Sequence, residues 1–86
     1  MNTEIIGRMQ SAKSASRMLE QIAVAGHYTA KSFDNSFVVY VRHSFGLIEE
    51  ITIKKLGQRR FEIVKTTTSY PLDELMKDVR LNQQQS

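Results

Sequence analysis

The chain contains no cysteine and no tryptophan, and it has a single proline among 86 residues. The absence of cysteine excludes disulfide bonds, thiolate zinc sites and catalysis by a thiol. No apolar run approaches the roughly 20 residues that a membrane-spanning helix needs. The first residues also lack the basic segment and apolar run of a signal peptide. We therefore expect a soluble, cytoplasmic protein that does not enter a membrane.

Signatures of catalysis and of cofactor binding are also missing. The four glycines are isolated at positions 7, 26, 46 and 57, so the chain has no glycine-rich phosphate loop. Its two histidines, His27 and His43, have no second ligand at metal-binding spacing. We expect a protein that is not an enzyme and that uses no metal and no cofactor.

Length and charge indicate one small domain with a mildly basic surface. The net charge is +3, from twelve basic and nine acidic residues. A chain this short forms one domain that buries roughly 60 to 65 % of its unfolded surface. We predict a single domain over residues 1–81 and a disordered polar tail over residues 82–86.

Three successive β-strands organise the centre of the chain. Apolar and polar side chains predict strands at Phe37–His43, Leu47–Leu56 and Arg60–Thr68, separated by short loops. Three-residue loops place Val39 opposite Ile51 and Ile53 opposite Ile63, with Gly46 at the loop position where φ is positive. One face then gathers the apolar side chains of Phe37, Val39, Val41, Leu47, Ile51, Ile53, Phe61 and Ile63.

The opposite face of this sheet is mixed, and Lys54 faces Glu62 on it as a cross-strand ion pair. Its members are Val38, Tyr40, Arg42, Ile48, Glu50, Thr52, Lys54, Glu62, Val64 and Thr66.

One helix is predicted before the strands in the sequence and one after them. Apolar side chains at three- and four-residue spacing predict one long helix over residues 3–25, ended by Gly26. Pro71 begins a short amphipathic helix over residues 71–80. Between the first helix and the sheet, His27–Phe33 is a candidate fourth strand. A two-residue turn after it directs Tyr28, Ala30 and Ser32 inward, whereas a three-residue turn directs Phe33 inward.

The predicted fold is therefore α+β, with elements in the order α-β-β-β-β-α. A long N-terminal helix packs on an antiparallel three- or four-stranded meander sheet, and a short C-terminal helix follows.

Two surfaces are candidate binding sites. On the outer sheet face, Tyr40 supplies the large amphipathic area that is enriched at protein interfaces. We predict that this face binds a protein through Tyr40, Arg42, Thr52, Lys54 and Val64. The second surface is a basic hairpin tip, which suits a phosphate backbone or an acidic protein surface. Its side chains are Lys54, Lys55, Arg59 and Arg60.

These surfaces support three hypotheses for function. The first is a small regulatory protein, an adaptor or inhibitor of viral or mobile-element origin, that docks on a larger protein with an acidic or mixed surface. The second is nucleic-acid binding through the basic hairpin. The third is a homodimer or larger homo-oligomer formed by pairing of exposed sheet edges.

Overall fold

The computed structural model describes residues 2–34 and 36–69, which form an antiparallel five-stranded sheet and one helix. The α+β class is confirmed. The predicted helix at residues 71–80 and the predicted tail at residues 82–86 lie outside the described residues. The elements are β1 (Asn2–Met9), α1 (Ala12–Ala25), β2 (Thr29–Asp34), β3 (Phe37–Ser44), β4 (Leu47–Gly57) and β5 (Arg60–Ser69).

The prediction of one long helix over residues 3–25 is wrong for its first part, because residues 2–9 form β1, a strand antiparallel to β5. The β-branched pair Ile5 and Ile6 favours a strand. The register shifts between Ile5 and Gly7, so Ile6 occupies a bulge. The helix starts only after Ser11, whose side chain caps it by accepting a hydrogen bond of 3.2 Å from the backbone N–H of Ser14.

The strand order is β1-β5-β4-β3-β2, so α1 carries the chain from one sheet edge to the other. The sheet therefore has five strands, one more than the largest number predicted, and its first strand precedes the helix. No helix within the described ranges is long and apolar enough to span a bilayer.

The hydrophobic core lies between α1 and the face of the sheet that we call the helix side. Small residues on the helix allow it to approach the sheet closely, and the fully buried Ile51 and Ile63 lie beneath it. The core comprises Ala15, Leu19, Ala23, Ile51, Ile53, Phe61 and Ile63.

The register between β4 and β5 is confirmed, since Ile53 pairs with Ile63. The loop itself differs from the prediction. Gly57 pairs with Arg60 across a two-residue turn, and a register shift leaves Leu56 as an extra residue. Because of this extra residue, the side chains of β4 and β5 alternate between the two faces as they would with the predicted three-residue loop.

The predicted register between β3 and β4 is wrong by one residue. Ser44 pairs with Leu47 across a two-residue turn, in which Gly46 has φ 80°. Tyr40 therefore lies opposite Ile51 and packs against the core. Val39 is 8 % exposed, yet it lies outside the core cluster because it faces the other side of the sheet.

The candidate fourth strand is confirmed as β2, and a bulge explains why neither turn length alone gives its orientation. Ala30 pairs with Tyr40 and Phe33 pairs with Val38, with a register shift at Lys31 between them. Both Ala30 and Phe33 consequently lie on the helix side. The two edge strands, β1 and β2, are thus each interrupted by a bulge.

Candidate functional site

The five residues predicted to bind a protein together fall on opposite sides of the sheet. Thr52, Lys54 and Val64 alternate with buried core residues and so point to the face without the helix, which we call the helix-free face. Tyr40 and Arg42 point to the helix side. The one-residue error in the β3 register causes this separation, and the surface predicted from all five residues is not a continuous one.

Arg42 instead belongs to an ionic cluster beneath the C-terminal end of α1, the Glu49 cluster, formed by Tyr28, Arg42, Glu49 and Lys65. The Glu49 carboxylate is 7 % exposed. It accepts hydrogen bonds of 2.9 Å from Arg42 Nη2 on both oxygens, and Lys65 Nζ lies 2.8 Å from its Oε2. The Arg42 guanidinium lies 4.4 Å from the Tyr28 ring centroid and donates to the carbonyl of Gly26 at 2.9 Å.

The electrostatics of this cluster stabilise its charged form. The hydrogen bond from Lys65, followed by that from Arg42, lowers the pKa of Glu49 against the opposing effect of burial. The hydrogen bond with Glu49 raises the pKa of both Arg42 and Lys65. One carboxylate held between two cations fastens the end of α1 to β3, β4 and β5, which is a structural role.

The second predicted surface forms one end of the sheet, which we call the basic end. Lys54, Lys55, Arg59 and Arg60 are all exposed there, around the β4–β5 turn. Lys54 lies opposite Glu62, as predicted. Within the described ranges, however, the ion-pair partner of Glu62 is Arg8 of β1, at 3.4 Å.

The topology adds two cations that the hairpin sequence does not contain. Arg8 reaches the same end because β1 runs antiparallel beside β5, with Arg8 opposite Glu62. Lys13 is exposed in the first turn of α1, which follows directly. The basic end thus comprises Arg8, Lys13, Lys54, Lys55, Arg59 and Arg60.

A cavity of about 290 Å³ opens at the basic end, between β1 and the β4–β5 hairpin. Met9, Leu56 and Phe61 contribute apolar atoms to its lining, and Leu56 is 43 % exposed. The polar lining consists of Arg8, Gln10, Arg59, Arg60 and Glu62.

The unpaired positive charge of the described residues concentrates toward this end. Four of their ten lysines and arginines form ion pairs with carboxylates of the described residues: Arg8, Lys31, Arg42 and Lys65. The remaining six lie on the first half of α1 and around the β4–β5 turn: Lys13, Arg17, Lys54, Lys55, Arg59 and Arg60.

Sequence reasoning misses Arg8, because the predicted helix includes residues 3–9, and it misses Tyr28 as a partner of Arg42 and Lys65 as a partner of Glu49. The signal for Arg8 was the β-branched pair Ile5 and Ile6. The signal for the Glu49 cluster was the opposite charge of Arg42 and Glu49, which lie opposite each other only in the observed β3 register.

The described ranges contain no group of three or more His, Cys, Asp and Glu side chains placed to hold a metal ion. Comparison of the chain with protein-family models, with curated proteins and with solved structures found no match in any of the three.

Proposed function

We propose that this protein is a non-catalytic regulatory protein, an adaptor or inhibitor, that docks on an acidic surface of a larger protein through its basic end. The observation that carries the proposal is the cavity between β1 and the β4–β5 hairpin. Its lining combines the apolar residues Met9 and Leu56 with three arginines, Arg8, Arg59 and Arg60.

This combination suits a protein partner. The affinity of protein interfaces is concentrated in apolar or aromatic anchors that fill pockets, while charged groups around them set orientation and association rate. A partner segment with an apolar side chain next to Asp or Glu would fill the cavity and reach its arginines. Leu56 offers a reciprocal anchor because the bulge leaves its side chain substantially exposed.

Three of the predicted protein-binding residues lie on the helix-free face: Thr52, Lys54 and Val64. Of these, only Lys54 belongs to the proposed docking surface. That lysine lies in the last part of β4, belongs to the basic end, and is exposed. Tyr40 and Arg42 lie outside this contact surface, because they face α1.

Affinity purification from the native host with paired charge variants tests the proposal. Arg59→Glu with Arg60→Glu should abolish capture of the specific partner, and Leu56→Ser should weaken it. Arg17→Glu with Lys31→Glu is the matched control, since it changes the net charge equally on α1 and β2, outside the basic end. Equal loss of the partner with both double variants would contradict docking at the cavity.

Nucleic-acid binding is the second candidate, favoured by the position of the six cations that have no ion-pair partner among the described residues. Lys13 and Arg17 of α1 add to Lys54, Lys55, Arg59 and Arg60 of the hairpin, and phosphate contacts need cations rather than an apolar pocket. Titration of fluorescent DNA and RNA at two salt concentrations should then show a steep loss of affinity with salt. Absence of binding at low salt removes this candidate.

A further inference from the structure

No described element covers the helix-free face of the sheet. Its side chains are mostly uncharged, with half-buried Val41, Ile48 and Val64 and the more exposed Ile5 among threonines, and Glu50 lies on it in the central strand β4. Alternation along the strands and the observed registers assign Thr3, Ile5, Thr29, Val39, Val41, Ile48, Thr52, Val64, Thr66 and Thr68 to it.

The charged side chains on this face largely neutralise one another. Arg8 pairs with Glu62 at 3.4 Å, and Lys31 pairs with Glu50 at 3.2 Å. The Arg8–Glu62 pair lies toward the basic end, and the Lys31–Glu50 pair reaches from the edge strand β2 to the middle of β4. Lys54, a member of the basic end, has no ion-pair partner among the described residues. The face therefore has almost no net charge, in contrast to the basic end.

We infer that the helix-free face binds a second copy of this chain, giving a dimer in which two sheets pack face to face. A two-fold interface brings a surface against itself, so a strongly charged patch opposes such a dimer and a neutral one permits it. Pairing at the sheet edges is less suitable, because a bulge interrupts both β1 and β2.

The size of the face agrees with this partner. Five strands spaced ~4.8 Å apart, with about seven residues each rising ~3.4 Å, cover roughly 450 Å² of flat area. Two such faces contribute roughly 900 Å², and side-chain relief increases the accessible area toward the ~1,000 Å² expected of a specific interface. The inference concerns a different surface from the basic end and is independent of the proposed function.

The test is the solution mass of the full chain over a range of concentrations, measured by light scattering and sedimentation. We expect a dimer whose dissociation constant rises at least ~10-fold in Val64→Lys, because each copy would bring an added, unpaired charge into the interface. Val24→Lys is the matched control: Val24 is 71 % exposed on α1, away from this face. Ile5→Lys gives a second variant at a site 46 % exposed, where folding is less sensitive.

Dissociation by Val64→Lys and Ile5→Lys, but not by Val24→Lys, with unchanged circular dichroism, supports the inference. A wild-type monomer at all concentrations overturns it, including a monomer in which cross-linking places residues 70–81 on this face. A dimer that neither Val64→Lys nor Ile5→Lys weakens also overturns it, because another surface would then hold the copies together.

Discussion

Replacement of Glu49 by glutamine tests whether the Glu49 cluster fastens α1 to the sheet. The substitution keeps the size of the side chain but removes the charge between Arg42 and Lys65. Charge-assisted hydrogen bonds stabilise a fold by about 1.5–3 kcal/mol each. Glu49 accepts from Arg42 at 2.9 Å and has Lys65 Nζ at 2.8 Å, so two such interactions weaken at once.

The expected loss is smaller than the sum of two full interactions. The side chains of Arg42 and Lys65 are 35 % and 27 % exposed, so both regain hydration when the carboxylate is removed. Glutamine also retains one acceptor oxygen. We therefore expect Glu49→Gln to lower the free energy of unfolding by about 2 kcal/mol, which corresponds to a Tm decrease of roughly 8–16 °C in a domain of this size.

The pH dependence of the effect has a defined sign. Because folding lowers the pKa of Glu49, its charge stabilises the fold above the unfolded pKa of about 4.3, and this stabilisation is lost as the pH falls through the folded pKa. The difference in stability between wild type and Glu49→Gln should consequently be full at pH 7 and shrink toward pH 2.

Urea denaturation followed by circular dichroism at several pH values measures both effects. Glu50→Gln is the matched control, since Glu50 is the next residue but lies on the helix-free face and pairs with the exposed Lys31 at 3.2 Å. An exposed pair contributes at most about 1 kcal/mol. Equal destabilisation by the two variants at pH 7, or a Glu49→Gln effect that does not change with pH, would refute the reasoning.

Three further substitutions probe the packing, each by thermal or urea denaturation. Gly26→Ala places a Cβ 2.6 Å from Tyr28 Cε1 and should lower the free energy of unfolding by about 1–3 kcal/mol. Gly7→Ala is the control: its nearest contact is at 3.4 Å, so it should change the free energy of unfolding by no more than about 0.5 kcal/mol. Similar values for both variants would be inconsistent with the close approach of Tyr28. Ser11→Ala removes the helix cap and should cost about 1 kcal/mol, and an unchanged Tm would argue against that cap. Tyr40→Ser should lower stability by about 2 kcal/mol and clearly more than Val41→Ser, because only Tyr40 packs on the core; the reverse order would restore the rejected register.

The part of the fold that the sequence predicted is the part where polar and apolar residues alternate cleanly. Between β4 and β5, one parity holds Ile51, Ile53 and Ile63, and the other holds mostly charged residues, threonines and Val64, so only one register buries these three isoleucines. Leu56 shows the limit of this reasoning, because the bulge that preserves the register cannot be distinguished from a longer loop in the sequence.

The β3 register could not be predicted because both faces of that strand are apolar. Val39 and Val41 on one side compete with Val38 and Tyr40 on the other, and burial alone does not separate them. The observed register is the one that brings Arg42 opposite Glu49 across the hairpin, a pairing of opposite charges that the alternation of apolar residues does not include. The predicted contact surface is divided for the same reason, since the observed register places both Tyr40 and Arg42 on the helix side.

The first strand was missed because its apolar residues continue the helical spacing of α1 backward to Ile5. Pairing with β5, the last described strand, makes this segment a strand instead of a helix. The hairpin cations were correctly predicted to be exposed, but the sequence could not show that Arg8 lies beside them.

The pairing of β1 with β5 has a consequence for synthesis on the ribosome. Asn2 lies opposite Thr67, so the first strand remains without its neighbour until β5 has been translated and has left the exit tunnel. Contacts between such distant segments slow folding, and an unpaired strand is prone to aggregation in the interval. A nascent chain stalled before β5 should therefore be sensitive to protease, and one released after Ser69 should be resistant.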